Sequence, residues 1–131
     1  MPPRPSALGI VVDDMPAALA FYRRLGIDVP PEADSQPHVE ADLGGGMRLL
    51  FDTAETIRSF DADWEPPPHG LHRTELAFEL DAPAEVDELY HSLTTDGHHG
   101  HKAPWNAFWG QRYAIVHDPD GNGVSLFSAL D

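Results

Sequence analysis

The feature that most constrains the fold is an internal repeat with an offset of 68 residues. At this offset Asp13 aligns with Asp81. Residues 7–12 form an apolar, strand-like run, and the acidic residues after it are typical helix caps. Pro16 suits the first turn of the helix that follows, and a glycine lies just beyond each predicted helix. Four pairs align at this offset: Val12 with Leu80, Asp13 with Asp81, Tyr22 with Tyr90, and Leu25 with Leu93. The period is too long for a solenoid repeat and predicts two similar half-domains.

Each half also contains a predicted hairpin. The paired strand-like runs are residues 38–42 with 47–52 and residues 111–117 with 123–128. Three glycines, residues 44–46, separate the first pair, and a Pro-Asp-Gly-Asn turn within residues 118–122 separates the second. The remaining strand of each half is the least defined, and we place it near residues 27–29 and near His101. Each half is therefore predicted to be a β-α-β-β-β module.

These modules predict a single α+β domain covering all 131 residues. The first βαβββ module is assigned to residues 6–53 and the second to residues 71–131, with a linker at residues 54–70. Three consecutive prolines, residues 66–68, exclude a helix or a central strand in that part of the linker.

Composition excludes several classes of partner. Eight Lys and Arg against 22 Asp and Glu give a net charge of −14, which disfavours nucleic acid and anionic membranes. No apolar run approaches the roughly 20 residues of a membrane-spanning helix, and the N-terminus does not resemble a signal peptide. The chain has no cysteine, so no thiolate metal site is available. We expect a cytoplasmic location and a small-molecule partner.

Two segments carry a family resemblance: residues 14–22, which open the first helix, and the turn at residues 118–122 before the last strand. With the paired modules, they resemble the vicinal oxygen chelate superfamily of glyoxalases, bleomycin-resistance proteins and extradiol dioxygenases. Residues 109–113, followed by that turn, look most like the bleomycin-resistance branch. The resemblance implies two curved sheets that enclose a cleft, and a homodimer.

The resemblance also implies four metal-ligand positions. They map to Ala7, to residues 48–51, to Glu75 and to Ser125. Residues 48–51 contain neither a carboxylate nor an imidazole, so Glu75 is the one strong ligand of the set. A divalent cation held for catalysis needs about three protein ligands. We therefore expect no metal cofactor at these positions.

Five aromatic residues in the linker and before the last hairpin are candidate ligand-binding residues: Phe60, Trp64, Trp105, Phe108 and Trp109. They wall an aromatic ligand cleft, pack at a subunit interface, or cap the core. Arg112 is a candidate partner for a ligand carboxylate, or it pairs with an acidic neighbour. Glu75 and Ser125 are further candidates, with Glu75 binding a ligand amine or acting as a base. The alternative for Glu75 is an ion-paired strand residue.

The histidines at positions 98, 99 and 101 have two interpretations, an exposed polar loop and a displaced metal site. We predict a small-molecule-binding protein that sequesters an aromatic or cationic compound such as an antibiotic. The alternative is a lyase or dioxygenase-like enzyme that uses Glu75 as metal ligand or general base. A third hypothesis is a structural or regulatory protein whose aromatic residues form a protein interface.

Overall fold

The computed structural model describes residue 2, residues 4–69 and residues 74–131. The chain forms two compact units, Met1–Pro66 and Pro67–Asp131, which divide within the proline run. Residues 70–73, which include the predicted start of the second module, lie outside the described residues. Within the described part of the chain, no helix is long and apolar enough to cross a membrane.

The first unit contains a three-stranded sheet. Its elements are β1 (Ala7–Val12), α1 (Met15–Arg24), a 3-10 helix (Pro31–Ser35), β2 (His38–Gly44), β3 (Met47–Thr53) and α2 (Ala54–Arg58). The strand order is β1-β3-β2, in which β1 runs parallel to β3 and β2 runs antiparallel to it. The glycine-turn hairpin predicted between residues 38 and 52 is therefore confirmed.

Helix α1 begins as its sequence predicts. The Asp14 side chain accepts a 3.1 Å hydrogen bond from the backbone N–H of Ala17, which satisfies a donor that the first helical turn leaves open. The apolar side of the helix buries Leu19 and Tyr22 completely or nearly so, and the Tyr22 ring makes an edge contact with Phe51 of β3. This packing supplies the core of the first unit.

The strand predicted at residues 27–29 is wrong. Ile27 and Val29 are buried, but the chain continues into the 3-10 helix through Pro30 and Pro31, which have no N–H for a strand ladder. The Arg23 guanidinium donates 2.9 Å hydrogen bonds to the carbonyls of Val29 and Pro30. A side chain thus satisfies the acceptors that a neighbouring strand would otherwise use. The predicted linker also starts with a helix, α2, and Thr53 caps it.

The second unit contains a four-stranded sheet. Its elements are β4 (Leu76–Glu79), α3 (Pro83–Thr95), β5 (Gly100–Ala107), β6 (Gln111–His117) and β7 (Gly123–Ala129). The order is β4-β7-β6-β5, and β4 runs parallel to β7. As in the first unit, the first strand lies beside the last in parallel, so the internal repeat is confirmed. The strand predicted near His101 is β5.

The acidic cap predicted for the second helix is wrong. The cap residue is Ala82, and it makes no side-chain hydrogen bond to the helix. The backbone N–H of Asp81 instead donates a 3.2 Å hydrogen bond to the Glu85 carboxylate. The Glu85 carboxylate therefore reaches back from the first turn to the residue before the cap, one position beyond the donor that a capping box uses.

Helix α3 packs against one face of the second sheet. The side chains of Ala114, Val116, Val124 and Leu126 are fully buried in this layer. Successive side chains of a strand point to opposite faces. The residues between them consequently lie on the other face, which we call the helix-free face: Tyr113, Ile115, Ser125 and Phe127.

Candidate functional site

A row of aromatic residues crosses the helix-free face. Trp105 of β5 lies opposite Tyr113 of β6, and Tyr113 lies opposite Phe127 of β7. The ring centroids of Trp105 and Tyr113 are 5.4 Å apart, and those of Tyr113 and Phe127 are 6.0 Å apart and nearly parallel. These separations lie in the range of favourable aromatic pairs. Cross-strand register therefore builds a continuous aromatic surface from three strands.

The turn between β5 and β6 extends this surface. Trp109 makes edge contacts with both Trp105 and Tyr113, at centroid distances of 6.0 and 5.3 Å. Phe108 makes an edge contact with Trp109 and is 97% exposed. The Trp109 ring N–H donates a 2.8 Å hydrogen bond to Gln111, which holds the indole in place. We call Trp105, Phe108, Trp109, Tyr113 and Phe127 the aromatic cluster.

A cation already lies on this cluster. The Lys102 ammonium group is 4.6 Å from the centroid of the Trp105 ring. This distance is typical of a cation–π interaction, in which the negative face of the ring attracts positive charge. The Trp105 face is thus placed to receive an ammonium or guanidinium group.

Carboxylates border the aromatic cluster on the β4 side. Glu79 is the register partner of Phe127, so it continues the aromatic row onto the fourth strand. Glu75 precedes β4 and accepts a 2.8 Å hydrogen bond from the Ser125 hydroxyl, which is fully buried. The predicted candidates Glu75 and Ser125 are therefore brought together. Glu79 was missed, although the alternation of Glu75, Ala77 and Glu79 places it on the same face.

The positions where the family implies a metal do not carry a matching donor set. In the first unit Ala7 is the register partner of Arg48, a cation that donates a 2.6 Å hydrogen bond to Glu40. In the second unit the positions are Glu75 and Ser125, already bonded to each other. One carboxylate among an alanine, a guanidinium and a hydroxyl does not meet the ligand requirement of a catalytic divalent ion.

Charged side chains cover the solvent-facing side of the first sheet. Both ring nitrogens of His38 are bonded to carboxylates, Nδ1 to Asp52 at 2.5 Å and Nε2 to Glu40 at 2.8 Å. Hydrogen bonding to Glu40 and then to Asp52 raises the pKa of His38. Hydrogen bonds from His38 and Arg48 lower the pKa of Glu40. When the His38 ring is protonated, both of its nitrogens donate to these carboxylates and no lone pair is left to act as a base.

Arg112 points away from the aromatic cluster. It alternates with Tyr113 along β6, so it lies on the face that α3 covers. Its guanidinium donates two 2.8 Å hydrogen bonds to the Asp87 carboxylate and one of 3.2 Å to Asn106. The pairing with an acidic neighbour, one of the two interpretations of Arg112, is the arrangement observed; its role in ligand binding stays a prediction.

The remaining aromatic candidates lie in the first unit. Phe60 is 75% exposed, and Trp64 packs beside Arg58, whose guanidinium carbon is 5.6 Å from the indole centroid. The first unit also contains a polar cavity of about 400 Å³ where β1 and β3 end. Acidic side chains line it, among them Asp34, which is paired with Arg23.

The second unit also brings three imidazoles together. One potential ligand nitrogen from each of His99, His101 and His117 lies within 4.8 Å of the others. The sequence singled out His99 and His101 but missed His117, and it included His98, which is outside this group. The His-x-His spacing at the start of a strand is a signal for His99 and His101, whereas His117 joins them only through the pairing of β5 with β6.

Comparison with known proteins places the chain in a broad group. A model of the glyoxalase/bleomycin resistance protein/dioxygenase superfamily matches residues 4–126. No curated protein matches the chain.

Solved structures share the fold. A glyoxalase/bleomycin resistance protein/dioxygenase family enzyme from Burkholderia phytofirmans is 23% identical, with a TM-score of 0.77 over 95% of this chain and 98% of that one. A glyoxalase/bleomycin resistance protein/dioxygenase from Nocardioides is 24% identical, with a TM-score of 0.70 over 100% and 86%. A lactoylglutathione lyase from Agrobacterium tumefaciens is 24% identical, with a TM-score of 0.66 over 98% and 95%.

Proposed function

We propose that this chain, which belongs to the glyoxalase/bleomycin resistance protein/dioxygenase superfamily, binds a small planar aromatic molecule that carries a positive charge. The observation that carries the proposal is the row formed by Trp105, Tyr113, Phe127 and Glu79 across all four strands of the second sheet. This row combines an aromatic surface with a carboxylate at its end. Sequestration of a compound such as an antibiotic is the corresponding biological role.

Physical chemistry favours this class of ligand for two reasons. Aromatic rings bury a large apolar area and pair favourably with another ring in offset or edge geometry. Positive charge on the ligand is attracted both to the faces of the indoles and to Glu75 and Glu79. The net charge of −14 would also raise the rate of encounter with a cation.

A second candidate is a metal-independent enzyme of the same superfamily, acting as a lyase. The bond from Ser125 to Glu75 favours it, because the bond holds a carboxylate in one orientation beside an aromatic surface. Glu75 would then abstract a proton from a bound substrate as a general base. Both candidates use the same face and differ in whether Glu75 is needed for binding or for chemistry.

A titration followed by tryptophan fluorescence tests the binding proposal. Methylene blue serves as a planar cationic probe and 2-naphthol as a neutral aromatic probe, with metal-free bleomycin as an antibiotic probe. Methylene blue should bind more tightly than 2-naphthol, and Trp105→Leu should weaken its binding by about 10-fold or more, since stacking contributes roughly 1–3 kcal/mol. Trp64→Leu is the matched control and should change the affinity little.

The opposite pattern overturns the proposal. If Trp105→Leu binds methylene blue as the parent does, or if none of the three probes binds, the aromatic cluster is not the ligand site. Glu75→Gln then separates the two candidates. A loss of affinity in Glu75→Gln supports a role for this carboxylate in binding the cation. Unchanged affinity for a substrate, together with loss of lyase activity on that substrate, supports its role as a general base.

We also propose that the chain forms a homodimer. The aromatic cluster is a candidate for the dimer contact as well as for the ligand site, so variants within it test both proposals. Phe108 is 97% exposed and contacts Trp109, which is 49% exposed, and an exposed apolar patch of this kind is a candidate contact with another molecule. Light scattering on Phe108→Ser, with Phe60→Ser as the control, measures the contribution to assembly. If only the Phe108 change dissociates the protein, the end of the cluster belongs to the dimer interface.

A further inference from the structure

We infer that His99, His101 and His117 form a binding site for a late first-row divalent metal ion of the zinc class. Their ligand nitrogens converge within 4.8 Å of one another. None of the three residues occupies a position where the superfamily resemblance implies a metal ligand. The site is therefore a separate one, contained within the second unit.

The local sequence explains why two of the imidazoles lie on the same side. His99 and His101 flank Gly100, the first residue of β5. A Cβ at Gly100 would clash with the hydroxyl of Tyr90 on α3, so this position faces the helix and a larger residue would require Tyr90 to move. Side chains on either side of a strand residue point to the opposite face. His99 and His101, on either side of Gly100, both lie beside the ring of His117.

The neighbouring strand supplies the third imidazole. His117 is the last residue of β6, and its backbone N–H donates a 2.9 Å hydrogen bond to the carbonyl of His99. A register shift between Gly100 and Lys102 marks His101 as the extra residue of a bulge. Its ring stacks on His117 at a centroid distance of 5.0 Å, and His99 lies 4.7 Å from the same ring. The start of β5, with its bulge, and the end of β6 therefore hold the three imidazoles close together.

Small side-chain movements are sufficient to ligate an ion. Zinc binds imidazole nitrogen at about 2.0–2.1 Å, so nitrogens in tetrahedral sites lie about 3.3 Å apart. The observed separations of up to 4.8 Å must contract by roughly 1.5 Å. His99 and His101 are both exposed, so rotation about their side-chain bonds can provide this contraction without displacing the strands.

The ion would also be accessible. A cavity of about 350 Å³ adjoins the group and is lined by His99, His117, the neighbouring His98 and His69, and the turn that begins at Asp118. Three protein nitrogens leave one position of a tetrahedral ion vacant, as in catalytic rather than structural zinc sites. The vacant position would accept water, a small anion or a fourth imidazole.

The donor type selects the class of ion. Imidazole suits Zn²⁺, Ni²⁺, Cu²⁺ and Co²⁺, whereas Ca²⁺ and Mg²⁺ prefer oxygen ligands. The absence of cysteine removes competing thiolates, and the net charge of −14 attracts cations. Zn²⁺ is the reference probe because it undergoes no redox chemistry.

Titration of the full chain with Zn²⁺ after removal of metals by a chelator tests the inference. We expect one ion per chain with a dissociation constant in the micromolar range or below. His101→Ala and His99→Ala should each weaken binding by more than about 100-fold, since even partners outside the ligand set contribute 10–100-fold. Both residues are exposed, so these variants are expected to fold. His91→Ala, an exposed histidine on α3, is the matched control and should bind Zn²⁺ as the parent does.

Co²⁺ provides a second readout that does not depend on affinity. Its visible absorption distinguishes four-coordinate from six-coordinate geometry, and we expect the four-coordinate spectrum in the parent and in His91→Ala. Zn²⁺ binding that is equal in the parent and in His101→Ala overturns the inference, as does weak binding without saturation at one ion per chain. Dye binding at the aromatic cluster is measured separately, so either proposal can fail without the other.

Discussion

Arg112 and Asp87 form a two-point ion pair that joins β6 to α3. Nε and Nη2 of the guanidinium each donate a 2.8 Å hydrogen bond to a different oxygen of the carboxylate. The hydrogen bond from Arg112 lowers the pKa of Asp87. The geometry matches the planar fork of arginine, which lysine cannot reproduce.

Replacement of Arg112 by lysine should therefore reduce stability without affecting ligand binding. We expect a loss of roughly 0.5–1 kcal/mol, because the pair has good geometry but is accessible to solvent and its attraction is screened. Chemical denaturation of Arg112→Lys measures the loss, and the methylene blue titration measures binding. A large loss of affinity with unchanged stability would show that Arg112 contacts the ligand, which is the other of its two interpretations.

The charge network of the first sheet predicts a pH dependence. The pKa of His38 is raised by Glu40 and Asp52, so protonation stabilises the folded state. This contribution is fully present below the unfolded value of about 6.5 and is lost as the pH rises through the raised folded value. The side chain is 42% exposed, so the contribution stays below about 1 kcal/mol.

An NMR titration of the imidazole signals measures this shift directly. His38 should titrate above the ordinary value, and Glu40→Gln should move its pKa downwards, because the bond to Glu40 is the largest cause of the shift. If Glu40→Gln leaves the His38 titration in place, the two side chains are not paired in solution.

Lys102 competes with any cationic ligand for Trp105. Its ammonium group lies 4.6 Å from the indole centroid, where a ligand cation would bind. Lys102→Met keeps the length of the side chain and removes the charge, so methylene blue should bind several-fold more tightly. The affinity for 2-naphthol should change little. Equal effects on both probes would attribute the gain to apolar contact instead of charge.

Gly100 is the point at which a single methyl group should disturb the second unit. Gly100→Ala places a Cβ against the Tyr90 hydroxyl and near Thr94, and overpacking of this kind costs about 1–3 kcal/mol. Removing the hydroxyl with Tyr90→Phe should recover part of the loss in the double variant. Thermal unfolding of the single and double variants measures this coupling. Independent, additive losses would show that the two side groups do not meet.

Local sequence signals predicted most of the architecture, since each depends on short-range chemistry. An acidic cap for the first helix was predicted at Asp13 or Asp14, and Asp14 is the cap observed. The glycine turn of the first hairpin and the Pro-Asp-Gly-Asn turn of the second were confirmed by strands of closely matching bounds. The strand at residues 27–29 was wrong because Arg23, a residue on the preceding helix, satisfies the carbonyls there. The cap at Asp81 was wrong because the cap position lies one residue later, at Ala82.

The sequence by itself determined the repeat, the family and the residue types available for a site. The tertiary structure alone decided which of those residues meet. Cross-strand register joined Trp105, Tyr113 and Phe127 into one surface and directed Arg112 to the opposite face. The pairing of β5 with β6 also brought His117 close to His99 and His101. The physical reason is that a strand alternates its side chains with a period of two, so contacts between strands depend on register and bulges, which composition and local propensity do not specify.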